Sequence, residues 1–297
     1  MKLTRDNFGE LMTPIHRKIF WNAYREKAEQ FSDLFKVDAM RQKVESYPHL
    51  GGFGMWDSNT EGNDINEDSM SEGPVATFEA ERYDKGYSLT WELIKDDLYN
   101  VMKGMGKGGS ASALGMGLRS TLETQTHNVI NNGFSNTGYD GKALFADDHP
   151  LVDSTAEGNN LLSGAISDAN VKTGLSLIRK HVNEAGLKIQ AKADILFGAA
   201  NIEWDIYTIL QSGNVAGTLS NDKNVIPKLR AVISDYLTDG YWGVKDSNFE
   251  NLMLKWREKP LFDSQFIPKK VDYFMYGYAR WDEGYVDWRG ICASPGA

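Results

Sequence analysis

The sequence predicts an α+β protein with long protruding segments, and three observations predict it. Residues 110–132 and 168–185 carry apolar side chains at helical spacing. Residues 87–91 and several stretches after 228 read as strands. Between 51 and 73 lies a run too polar to bury itself. With 297 residues, 41% of them hydrophobic, the chain can build one large domain or two modest ones.

The elements follow in order. Thr13-Pro14 reads as an N-cap followed by proline in the first turn, opening a helix over 13–31 with Ile15, Ile19, Ala23 and Ala28 along one stripe. Phe20, Trp21 and Tyr24 widen that stripe, so the helix needs a surface to lie on, its own core or a neighbour's. Residues 51–73 hold five glycines and six acids, with no Lys or Arg. Residues 75–91 read as extended, because Tyr87, Leu89 and Trp91 alternate with Ser88 and Thr90. Ile94, Leu98 and Val101 then recur at helical spacing.

In 110–132, Ala111, Leu114, Leu118, Leu122, Gln125 and Val129 fall at steps of three and four, and Gly133 is a plausible stop. Gly115 and Gly117 weaken that helix but permit close approach of another backbone. Val171, Leu175, Ile178, Val182 and Ala185 mark a helix ending at Gly186. A strand at 195–197 and a short helix over 201–211 come next. Strands are expected at Lys228–Tyr236, Tyr241–Val244, Leu252–Trp256 and Val271–Ala279, with the aromatic stretch Trp281–Ala293 pairing into a sheet.

Composition excludes several classes of function. The formal net charge is −9 and no Lys/Arg block exists, which argues against tight nucleic-acid binding but not against enclosing nucleic acid. The single cysteine, Cys292, rules out an internal disulfide and any multi-cysteine metal site, and its expected role is packing. No apolar run approaches the ~20 residues that span a membrane. Met1–Glu10 lacks an apolar signal core, so a cytoplasm is the expected place of synthesis.

Candidate chemistry is sparse. None of the five histidines forms an HxxxH or HxH pair. Asp147-Asp148-His149 could bind a divalent cation or orient a base, as in a metal-dependent hydrolase; its plainer reading is a polar turn before Pro150. Asp96-Asp97 point in different directions on a helix and make a poor dyad. Gly104, Gly106, Gly108 and Gly109 lack phosphate-loop spacing and read as a hinge. No catalytic residue, metal ligand or cofactor site is expected.

Five segments, in order, carry a resemblance. They are Tyr47-Pro48-His49-Leu50-Gly51-Gly52-Phe53 with Trp56; YSLTWELIKDD at 87–97; DGKALFADDHP at 140–150; ADILFGAANIEWDIYTILQS at 193–212; and YARWDEGYVDWRGICASPG near the end. Together they resemble the major head subunit of Mu-like phages and prophages, which has the Hong Kong 97-like capsid fold. The sequence departs from that pattern in two places. Ala199-Ala200 stands where a proline turn is usual, and the stretch after Trp56 is more acidic.

The resemblance implies a major capsid protein that self-assembles, as hexamers and pentamers, into an icosahedral head enclosing double-stranded DNA. An encapsulin-like cellular nanocompartment shell is the alternative on the same fold. It implies an N-terminal arm over 1–50, an extended loop over 51–90, a peripheral domain from 91–165 with 245–297 and 110–132 as its spine helix, and an axial domain over 166–244. Phe53, Met55 and Trp56 in the loop, with Phe20, Trp21 and Tyr24 in the arm, are then the candidate inter-subunit contacts; their plainer role is to cover the chain's own core. Portal, scaffolding and decoration proteins are the further partners implied, with assembly in the host cytoplasm. Some shells of this fold are cross-linked through a loop lysine. Residues 44–81 hold none, so no such bond is expected. No N-terminal cleavage is expected either.

Overall fold

The computed structural model describes residues 6–96, 109–155, 157–214, 223–226 and 228–296. Two four-stranded sheets and the helices packed on them form the body.

Helix α1 (Asp6–Tyr24) begins earlier than the sequence indicates, with Pro14 inside it, and stops at Tyr24 instead of continuing to 31. The stop has a physical cause. The long helix α3 (Ser110–Asn131) buries Arg119 and Glu123, and these two side chains take over the backbone groups that a longer α1 would have satisfied internally. Arg119 Nε donates to the Tyr24 carbonyl at 3.1 Å. The backbone N–H groups of Gln30 and Phe31 donate to the Glu123 carboxylate at 3.0 and 3.1 Å. Burial raises the Glu123 pKa, and those two amides work against that rise. A short 3-10 turn (Phe31–Asp33) then sends Phe31 into the core.

Strands β1 (Lys36–Ala39), β4 (Glu81–Thr90), β10 (Leu252–Ile267) and β11 (Asp272–Tyr285) form the first sheet in the order β1-β10-β11-β4. The sequence reads this strand as Leu252–Trp256, short of Lys259-Pro260. The strand instead runs on through a register irregularity between Glu258 and Leu261, where a bulge accommodates the proline. Strands β2 (Val44–Leu50) and β3 (Glu72–Glu79) form a separate hairpin. The single extended stretch expected over 75–91 is therefore two strands broken at Ala80, one in each sheet. The short helix α2 (Trp91–Asp96) follows β4; Leu98 and Val101 of the expected helix, with Asp97, Gly104, Gly106 and Gly108, lie outside the described residues.

Strands β5 (His149–Pro150) and β6 (Glu157–Gly158) make a small ribbon before helix α4 (Asp168–Ile178), whose first turn is capped by the Ser167 side chain accepting from the Asn170 amide. Helix α4 ends seven residues before the expected Ala185. His181 is pulled into the core, where its ring meets the Asn159 carbonyl (3.1 Å) and the Gly290 amide (3.1 Å), and the chain turns instead of continuing helically. Gly186, at φ +80°, serves that turn and not a helix end.

The second sheet runs β12-β9-β7-β8, from β7 (Ile195–Ala199), β8 (Arg230–Ser234), β9 (Trp242–Lys245) and β12 (Ile291–Ser294), with helix α5 (Glu203–Gln211) after β7. The terminal aromatic stretch divides between β11 and β12, in different sheets. One core joins α3 (Leu122, Ile130) to both sheets through Trp281, Trp288, Leu254 and Phe197; a second packs α4 and α5 on β7 and β9.

Candidate functional site

The functional question turns on what projects from this body. The β2–β3 hairpin is anchored on one face only. Phe78 and Ala76 are buried, and Tyr47 meets Phe78 edge-on at 5.8 Å. Beneath them lies Lys255, whose amine is 4.5 Å from the Tyr47 ring centre and 2.8 Å from a Glu45 oxygen. That hydrogen bond lowers the Glu45 pKa. At the loop's root the Gly51 amide donates to the Ser71 carbonyl (2.8 Å), and the Ser71 hydroxyl to Asp153 (2.6 Å). A Cβ at Gly51 would overlap the Asp153 carboxylate, so a larger residue there would push aside the Ser71 partner.

Above this root the chain covers nothing. Every residue from Met55 to Glu72 is exposed. Of the three loop residues the sequence singles out, Phe53 is 53% exposed, Met55 82% and Trp56 97%. Ile65 (89%) and Met70 (52%) belong with them; being the other large apolar side chains in an acidic run was the signal that could have marked them.

In this chain the arm aromatics Phe20 and Tyr24 take the plainer of their two expected roles, covering their own core. Phe20 is fully buried and Tyr24 nearly so, packed on their own chain. Phe20 meets Phe262 at 5.1 Å, and Arg119 lies over the Tyr24 ring at 4.1 Å. Trp21 is partly buried against Phe20 and Tyr24. The reason is Gly115, whose missing side chain lets α1 lie directly on α3. Phe20 and Tyr24 therefore have no free surface to offer a neighbour in this arrangement.

The chain passes from hairpin to body at the buried Ala80. The Glu79 amide donates to Asp282 at 2.7 Å. Burial, with the charges of Glu81 and Glu79, pushes Asp282 up to about 6; burial, with Asp282 and then Glu81, pushes Glu283 up to about 7.

The acidic turn beside His149 is tied up in contacts within the chain. Asp147 is exposed, and Asp148 pairs with Lys142. His149 is buried with both ring nitrogens engaged, Nδ1 by Asp140 at 2.6 Å and Nε2 by Asn160 at 3.2 Å, and it stacks on Trp288 at 4.4 Å. The imidazole is a structural tie. No cluster of potential metal ligands occurs among the described residues. Asp96 ends α2 away from any such cluster, and Gly109 is the N-cap of α3. Cys292 is fully buried, and burial raises its thiol pKa well above the ordinary value. No described helix is long and apolar enough to cross a membrane.

Solved structures similar to this one define the class. A chain of the capsid structure of the cyanophage P-SCSP1u aligns over 91% of this chain and 89% of its own, at 11% identity and a TM-score of 0.60. A Microbacterium phage Oxtober96 chain aligns over 91% and 92%, at 11% identity and TM-score 0.56. A chain of the bacteriophage JBD30 procapsid aligns over 98% and 76%, at 13% identity and TM-score 0.51. The fold is that of a tailed-phage capsid protein. Residues 10–175, more than half of the chain, match the model of the Mu-like prophage major head subunit gpT, and the chain belongs to that family. No curated protein matches it.

Proposed function

We propose that this major head subunit self-assembles into an icosahedral shell enclosing double-stranded DNA, and that its extended loop clasps a neighbouring subunit. The observation that carries the reading is the loop itself: every residue from Met55 to Met70 is exposed, on a root tied down by Gly51, Ser71 and Asp153. Heterologous contacts of this kind close into rings, and many modest interfaces per copy add up by multivalency.

In this reading residues 1–50 are the arm and 51–90 the extended loop. Residues 91–165 with 245–297 form the peripheral domain, built on α3, and 166–244 the axial domain. Portal, scaffolding and decoration proteins would be further partners, and the shell would assemble in the host cytoplasm. The test is Trp56→Ala. Because Trp56 is almost wholly exposed, the subunit's own stability should move by no more than about 0.5 kcal/mol. The fraction of protein in shells, read by sedimentation, should fall. An unchanged shell yield would remove Trp56 as an anchor.

A further inference from the structure

We infer that a groove beside α4 receives the acidic loop of a second copy of this chain, with Ile65 seated between cations. The inference rests on the reading of the loop as an inter-subunit clasp, and it names the receiving surface. The groove is lined by Lys172, Leu175, Arg179, Lys192, Val225 and Ile226, with no carboxylate on its walls. Asp168 holds Lys172 at 2.6 Å. Arg179 and Lys192 are exposed and form no ion pair among the described residues. Val225, at 73% exposure, is a large apolar side chain without cover. The groove thus offers an apolar floor with two cations, Arg179 and Lys192, on its rim.

The loop offers the converse. Residues 57–72 hold Asp57, Glu61, Asp64, Glu67, Asp68 and Glu72, with no Lys or Arg. Ile65 stands 89% exposed among Asp64, Glu67 and Asp68. Opposite charge on the two surfaces favours encounter and fixes register, and the buried isoleucine supplies the apolar contact. In its own chain this part of the loop is exposed and the groove is open, so the occupant is a second copy. The larger groove between α3 and β4 suits an acidic loop less well, because it carries a carboxylate, Asp84, in its own lining beside Arg82 and Lys85.

The test uses the full chain carrying Ile65→Cys and Val225→Cys. The native Cys292 is fully buried and does not compete. Mild oxidation followed by a non-reducing denaturing gel should give a ladder of dimers, trimers and higher species, absent from either single variant. Adding Arg179→Glu and Lys192→Glu should weaken that ladder about tenfold, and further adding Asp64→Lys and Glu67→Lys should restore it. A fast-migrating monomer with an internal disulfide, no disulfide at all, or a ladder indifferent to the charge reversals would overturn the inference. The same preparations are imaged: shells without a ladder contradict this docking alone, whereas wild-type protein that forms no shells contradicts the shell reading itself.

Discussion

Gly115 gives the sharpest test of how the arm helix is held. A Cβ at this position would lie well under 3.0 Å from the Phe20 carbonyl oxygen and at 3.2 Å from both Phe20 C and Tyr24 N. These are backbone atoms of α1, so no side chain can swing aside; the whole helix must move off α3. Gly117, two residues on, would meet nothing within 4 Å. Alanine improves helix propensity over glycine by about 0.8–1 kcal/mol at either site. At Gly115 that gain is set against an overpacking cost of about 1–3 kcal/mol. Gly117→Ala should therefore stabilise the subunit by up to about 1 kcal/mol, and Gly115→Ala should destabilise it by about 1 kcal/mol. At about 2–4 °C per kcal/mol, the two melting temperatures should differ by roughly 4–8 °C. Thermal unfolding of unassembled subunits reads this directly. Equal melting temperatures, or a more stable Gly115→Ala, would refute the packing of α1 on α3.

Three other outcomes follow from the same structure. Asp140→Ala removes the partner of a buried histidine nitrogen and should cost about 1–3 kcal/mol in denaturant unfolding. Asp282 and Glu283 hold protons more tightly in the fold than in the unfolded chain, so their contribution is full below about pH 4 and is lost as pH rises through about 6 and 7. Subunit stability should fall across that window, and Glu283→Gln should flatten the fall; a wild-type profile without slope there would contradict the burial assigned to this pair. Mature particles should run as a single monomer band on a denaturing gel, since residues 44–81 contain no lysine to cross-link.

Much of the fold was legible because local pattern and tertiary burial agree. The spacing of Ala111, Leu122 and the residues between them located α3. The alternation through Leu89 located β4. The unburied loop was visible as six acids without a cation. Other features depend on distant partners. Arg119 and Glu123 lie off the apolar spacing of α3, yet both are buried because they bind the backbone at and after the end of α1. His181 ends α4 only because Asn159 and Gly290 are there to receive it. The strand expected over Leu252–Trp256 runs on past Pro260, and only the pairing with β11 shows it. The arm aromatics were ambiguous for the same reason: an apolar stripe states that a surface is needed, not whose surface it is.

The central claim is that this chain builds a shell from copies of itself. Electron microscopy of the purified full-length protein tests it most directly. Closed shells, or free hexamers and pentamers, are the expected result. A protein that stays monomeric at concentrations where the loop is intact would contradict the account.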